Sequence, residues 1–489
     1  EKTGRKVKRK RGGIPAKAQK VDRLAAAKRA AQATRARWIA WDAGTARGEH
    51  WSAALTVRIA MLAGAILTAW AIVVMITTPR ITFNDGLGYL DGQTYAAAVR
   101  VLRGELQVEM SAPYVYRVAP LALLALSGAP LVPAFLALNL GSLILCGPLL
   151  ILLMRQFRVA PHVALICIAW WAVLPAGFRF ATYYPILLDG AGSLAMLATV
   201  LAALMPSALA FAFLLPAAIL TRETAITMPA LLAVTQARFG LGRAVVITLA
   251  ASVAGVAAFI AVRTWPPIEP ASGSTLLGDV ARNFDWIRTN ASERAWRYLA
   301  APFLTLGVLT IVPFIAPRQT RVALTQAPAL AVYLVAVLVA AAIGGEDFDR
   351  FAFWLAPVLV VLSARALTES RAGTLLLVAL SGVHIALAWA AAPVDGSEVA
   401  YRDAVVALMP IQRVLQLIGA YVLAVAVLLV LVRTLRAPAD TVGRRRRKAG
   451  GSGLAGPAMA PRHVAELVTE RRSKGFSATS SGRHGGSAR

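Results

Sequence analysis

Two Asp-Gly pairs stand six positions apart, Asp85-Gly86 and Asp91-Gly92, in the polar stretch 77–117. Asp-Gly is first of all a turn dipeptide. Asp91 also precedes a segment with Tyr95, Val99 and Leu102 on one face, so it can cap a helix beginning near Gly92. A carboxylate held in that way at a surface can take the proton of an attacking hydroxyl, as a general base. Tyr114, Tyr116 and Arg117 close the same stretch. Three further polar clusters interrupt apolar sequence: Tyr183-Tyr184-Pro185 with Asp189, Thr221-Arg222-Glu223-Thr224, and the run from Gly345 through Asp349 to Arg350. A guanidinium grips a phosphate bidentately, and Arg350, just ahead of an apolar run, is well placed to hold one, while the functional reading of Arg222 and Glu223 puts them in an outward-facing cavity. The plain alternatives are a solvated helix end at Glu346–Arg350 and a tight loop at 221–224, whose Arg222 and Glu223 pair with each other. Asp189 lies about one turn inside an apolar helix, where an acid calls for a buried partner or a function.

The elements that must hold these residues are membrane helices. Of 489 residues, 58% are hydrophobic and 15% charged, and the mean hydropathy is +0.64. Apolar runs recur from Ala53 to Val432, many of them long enough for a hydrocarbon core about 30 Å thick. They are apolar all round, which excludes the alternating strands of a transmembrane barrel. The expected fold is all-α: a polytopic membrane protein of about twelve transmembrane helices with both termini cytoplasmic, from the positions of the arginine clusters between runs. The weakest crossings are 208–220 and 225–237, each short for a span. A body over 53–433 then carries extracytoplasmic loops at 77–117 and 264–298, and 279–298 reads as an amphipathic interfacial helix with Trp286 and Trp296.

Charge sits in the tails. Residues 1–37 hold 14 Lys/Arg against two acids and residues 433–489 hold 13 against three, most of the net +27. The expected arrangement is a basic cytoplasmic arm (1–52) with a membrane-surface helix, and a basic, disordered cytoplasmic tail (434–489). Both would face anionic lipid headgroups, with no nucleic acid expected as partner. Cys146 and Cys167 lie in apolar runs and read as packing residues, and no His/Cys/Asp spacing marks a zinc site.

Taken in order, these clusters resemble the bacterial integral-membrane glycosyltransferases of the GT-C superfamily. The elements that carry the likeness are Asp91-Gly92-Gln93-Thr94-Tyr95, Pro113-Tyr114-Val115-Tyr116-Arg117, Tyr184-Pro185 with Asp189, Thr221-Arg222-Glu223, and Asp349-Arg350 before the helix with Pro357. The likeness spans roughly 53–391 and leaves out both tails. It implies a plasma-membrane enzyme that moves a sugar from a polyprenyl-phosphate donor to an acceptor hydroxyl at the outer face. Asp91 becomes the leading base and Asp85 the runner-up; Tyr95, Tyr116, Arg117, Tyr184, Asp189, Arg222, Glu223, Asp349 and Arg350 become substrate-binding candidates. No cofactor is required by the pattern. A divalent cation near the loop carboxylates is compatible with it, although no spacing demands one. Many members carry two acids adjacent or one apart in this loop, whereas here they are six apart, which leaves sugar and acceptor open.

Two rivals come from other classes. A transporter or flippase for an amphipathic substrate would place charges through the bilayer midplane on broken helices in matching halves. A membrane scaffold would use the basic tails and leave Asp91, Arg222 and Arg350 without a role. The absence of any nucleotide-binding fingerprint points away from direct use of a nucleotide-sugar.

Overall fold

A computed structural model of the chain describes residues 51–81, 91–111, 114–205, 207–271, 276–289, 291–343, 348–368, 379–386, 395–397 and most of 411–430. Residues 1–50 of the basic arm, the basic tail and Asp85 lie outside the described residues, as do the side chains of Trp286, Trp296 and Asp349.

The described chain is helical, as composition requires, and the one β-type contact among its residues is an isolated bridge between Met110 and Pro270. The helices are α1 (Ala53–Thr77), α2 (Asp91–Leu102), α3 (Val118–Ser127), α4 (Leu131–Gln156), α5 (Pro161–Ala172), α6 (Asp189–Leu204), α7 (Ala208–Thr221), α8 (Pro229–Gln236), α9 (Leu241–Thr264), α10 (Leu276–Thr289), α11 (Ala291–Leu306), α12 (Pro317–Gln326), α13 (Pro328–Ile343), α14 (Phe348–Phe353) and α15 (Ala356–Thr368). Local chemistry sets several starts. The Ser52 hydroxyl accepts from the Leu55 amide at 3.1 Å to cap α1. Pro161, Pro229 and Pro317 begin α5, α8 and α12, where a missing amide hydrogen costs nothing.

Three helices, α1, α4 and α9, have the length and composition of membrane spans. The number rises to five if two bent pairs each count as one: α5 with Pro175–Tyr183, bent by 41°, and α12 with most of α13, bent by 103°. Other runs read as crossings are shorter or broken. The run 299–316 divides among the end of α11, a tight turn at Gly307–Thr310 and the short turn Val312–Ile315, around Pro302, Gly307 and Pro313. The segment 279–298 falls in two helices, α10 and the start of α11, rather than one. As expected, 221–224 does separate two short helices, α7 and α8.

α4 stands at the centre, with 56% of its most apolar window buried against 22% for α1 and for α9. α1 packs on α4, α4 on α6, α6 on α7, and α7 on α9. The α7–α9 approach depends on Gly255, where a Cβ would lie 2.6 Å from Leu215. Small residues permit such close passage where the solvent is as apolar as the side chains. One apolar core includes Leu67, Cys146, Trp170, Trp171, Leu215 and Phe353. A second, around Tyr95, Val99, Tyr116, Phe135, Tyr183 and Tyr184, seats α2 and α3 on the rest of the body.

Candidate functional site

The first turn of α2, the segment before α3, the start of α6, the α7–α8 break and α14 converge on one group of charges. Arg350, on α14, reaches two carboxylates at once. Its Nη1 donates to Asp91 Oδ2 at 2.7 Å, and its Nε donates to Asp189 Oδ2 at 2.8 Å. Arg222 Nη2 donates to Asp189 Oδ1, which also receives Arg350 Nη2 at 3.4 Å. Arg117 is engaged in the same fashion: Nε and Nη2 grip Glu223 at 3.1 and 2.8 Å, while Nη1 donates to the Tyr95 hydroxyl. Three guanidiniums and three carboxylates therefore cancel within one network.

The sequence explains why these residues can be brought there. In α7 and α8 the 3₁₀ turn Glu223–Thr227 interrupts the helix, so Arg222 leaves the apolar face with extended backbone and lies over the Trp354 ring at 5.1 Å. The turn ahead of α6 is held by Asn139 on α4. Its Nδ2 donates to the carbonyls of Pro185 and Leu187 at 3.0 and 2.7 Å, and its Oδ1 accepts from the Gly190 amide at 3.1 Å. Asp189 is thereby fixed beside both arginines.

Asp91 is the first residue of α2, and its carboxylate is not spent on that helix. Oδ1 accepts from the Tyr114 hydroxyl and Oδ2 from Arg350. The Gly92 amide at the helix start donates instead to Tyr184 Oη at 2.9 Å. Burial raises the Asp91 carboxyl pKa, but the charge and hydrogen bond of Arg350, with the Tyr114 hydroxyl, outweigh it and hold the group below the usual Asp value. Burial and the neighbouring Asp91 charge push the Tyr114 phenol well up, so it stays a donor. Of the three acids Asp91 is the most exposed, its side chain 21% accessible against 10% for Asp189 and 15% for Glu223. It is thus the most accessible of the three carboxylates, and its Oδ1 is held by a hydroxyl, that of Tyr114.

Of the residues singled out from sequence, Asp91, Tyr95, Arg117, Asp189, Arg222, Glu223 and Arg350 meet in this network, and Tyr184 supports it through Gly92. Tyr116 lies alongside, its ring under Arg263 rather than in the ion-pair network. Asp85 and the Asp349 side chain are outside the described residues. Asn139, Arg263 and Trp354 were not singled out. A lone Asn inside the apolar run 131–153 was the available signal for the first, and an Arg beside the tryptophan that ends an apolar run was the signal for the second. Among the described residues no group of three His, Cys, Asp or Glu side chains could hold a metal ion.

Comparison with protein-family models, curated proteins and solved structures returns no match.

Proposed function

We propose that the chain is a multi-pass plasma-membrane glycosyltransferase of the GT-C type, moving a sugar from a polyprenyl-phosphate donor to an acceptor hydroxyl at the outer face. The observation that carries this reading is the convergence of a reachable carboxylate, Asp91, with Arg350 and Arg222 from distant parts of the chain. In the proposed step the acceptor hydroxyl displaces Tyr114 from Asp91 Oδ1 and gives its proton to the carboxylate. The acceptor oxygen attacks the anomeric carbon while the bond to the lipid phosphate breaks, with inversion. The leaving phosphate takes up the bonding pair as negative charge, and the arginines stabilise that charge. Asp189 and Glu223 keep the arginines in place. The reading extends to both termini in the cytoplasm and to the basic tails against anionic lipid.

Purified protein in lipid nanodiscs, given radiolabelled polyprenyl-phosphate sugars, tests it. Wild type transfers or slowly hydrolyses the sugar. Asp91→Asn keeps the shape and one acceptor oxygen for Arg350, but its amide group can accept neither the Tyr114 hydroxyl nor a proton, and the variant should lose at least about 10²-fold in rate. Full activity in that variant would remove Asp91 from the chemistry and bring Asp85 forward. No activity on any donor from folded wild type would sink the enzyme reading and favour the transporter, for which buried charges such as Asp189 and Arg222 are also suited.

A further inference from the structure

Arg263 stands in the last turn of α9 beside two rings, its guanidinium carbon 4.1 Å from the Tyr116 centroid and 4.4 Å from that of Phe259. Its Nε and Nη2 are both buried, and neither meets an acceptor among the described residues. These two nitrogens form one edge of the guanidinium, the side-on fork that takes two oxygens of a single oxyanion. Arg117 uses that same edge on Glu223, and Arg350 uses it on Asp189. In Arg263 two rings lie against the guanidinium and neither nitrogen of the fork has a partner among the described residues. Glu223, whose charge reaches Arg263, is already held bidentately by Arg117. The network beside it is internally neutral, so it holds no spare carboxylate for the positive charge that Arg263 adds.

Depth decides what can arrive there. Ile260, one turn earlier, is 53% exposed on an apolar helix, and Trp265, two residues on, is 80% exposed. An exposed tryptophan at the end of an apolar span sits at headgroup level. The carbonyl end of α9 favours a cation without occupying the fork of Arg263.

We propose that Arg263, held by Tyr116 and Phe259, is an oxyanion site at the bilayer edge that takes the phosphate of a membrane lipid. This rests on the membrane placement in the reading above, and not on its sugar-transfer step. Phosphate recognition is then divided: the arginines of the network face the Asp91 carboxylate, and Arg263 anchors a phosphate from the lipid side.

The test measures binding to the full chain in phosphate-free maltoside micelles by native mass spectrometry, with hexadecyl phosphate, hexadecanol and inorganic phosphate as probes. Wild type should bind hexadecyl phosphate at least about tenfold more tightly than either other probe. Arg263→Gln should bind hexadecyl phosphate at least about tenfold more weakly than wild type, with hexadecanol binding unchanged. Arg263→Lys keeps charge without the fork and should fall between them. Unchanged hexadecyl phosphate binding in Arg263→Gln overturns the site. Should that variant not fold, wild-type affinity in Arg263→Lys overturns it instead. Equal binding of inorganic phosphate overturns the assignment to lipid and leaves free phosphate as the ligand. None of the three probes carries a sugar, so a failure of the transfer chemistry is read separately from a failure of this site.

Discussion

Arg350 Nη1 donates to Asp91 Oδ2 at 2.7 Å, joining residues 259 positions apart. The other edge of the same guanidinium holds Asp189. One planar cation therefore sets the distance between the reachable acid and the buried one. Arg350→Lys cannot bridge both carboxylates, because an ammonium is a point charge without the fork. We expect the lysine variant to fold and to lose about 10²-fold or more in kcat/KM for sugar transfer. Activity within a factor of about three of wild type would show that the bridge is not needed for turnover.

The pH dependence of turnover follows from the same contact. The Asp91 carboxyl is held below its usual value of 3.8 by Arg350 and Tyr114 against the opposing effect of burial. A depressed carboxyl contributes stability that is present above its unfolded value and lost as pH falls through the folded one. The ionised base thus persists into acid, and wild type should show no acid limb in kcat/KM above about pH 4. Arg350→Gln removes the foremost cause of the depression and leaves burial to act, so its acid limb should move upward. A wild-type limb near pH 6 would exclude Asp91 as the base.

Asp189 is 7% exposed and Arg222 4%. Asp189→Asn leaves Arg222 without its carboxylate and takes one of two from Arg350. Removing one partner of a buried pair costs about 3–5 kcal/mol, because the remaining charge has no counterpart. A marked fall in thermal midpoint in micelles is expected, with partial recovery in the double variant carrying Arg222→Met. An Asp189→Asn midpoint equal to wild type would show that water already reaches the pair.

Asn139 is a positioning residue, and Gly190 is the contact that lets it work. A Cβ at Gly190 would lie 2.6 Å from the Asn139 carbonyl oxygen and 2.9 Å from its Cα, backbone atoms that cannot swing aside. Gly190→Ala should therefore separate α6 from α4 and displace Asp189, at about 1–3 kcal/mol in stability. Asn139→Leu should strand the Pro185 and Leu187 carbonyls and loosen the same turn. Both variants should lower kcat more than they change donor binding, read by single-turnover kinetics beside equilibrium binding. Wild-type kcat in both would break the link between this turn and the site.

The sequence by itself determined that the chain is helical and apolar enough for a membrane, and where its polar interruptions fall. Hydropathy and charge are local sums, readable wherever each residue's contribution outweighs its neighbours'. Asp91, Asp189, Arg222 and Arg350 stood out one by one, since a charge in or beside an apolar run needs a partner. Which partner was a tertiary matter. Arg222 and Glu223 are neighbours in sequence, yet they turn apart, one to Asp189 and the other to Arg117. The break between α7 and α8 points consecutive side chains in different directions, and the packing of α4, α6 and α14 supplies each with a counter-ion. The short and broken helices within 291–316 were likewise beyond hydropathy alone, because prolines and glycines divide an apolar run without changing its mean. Arg263 stayed unnoticed for the same reason: an arginine ending an apolar run reads as an interfacial anchor until the fold sets two rings beside it and leaves two of its buried nitrogens without a partner among the described residues.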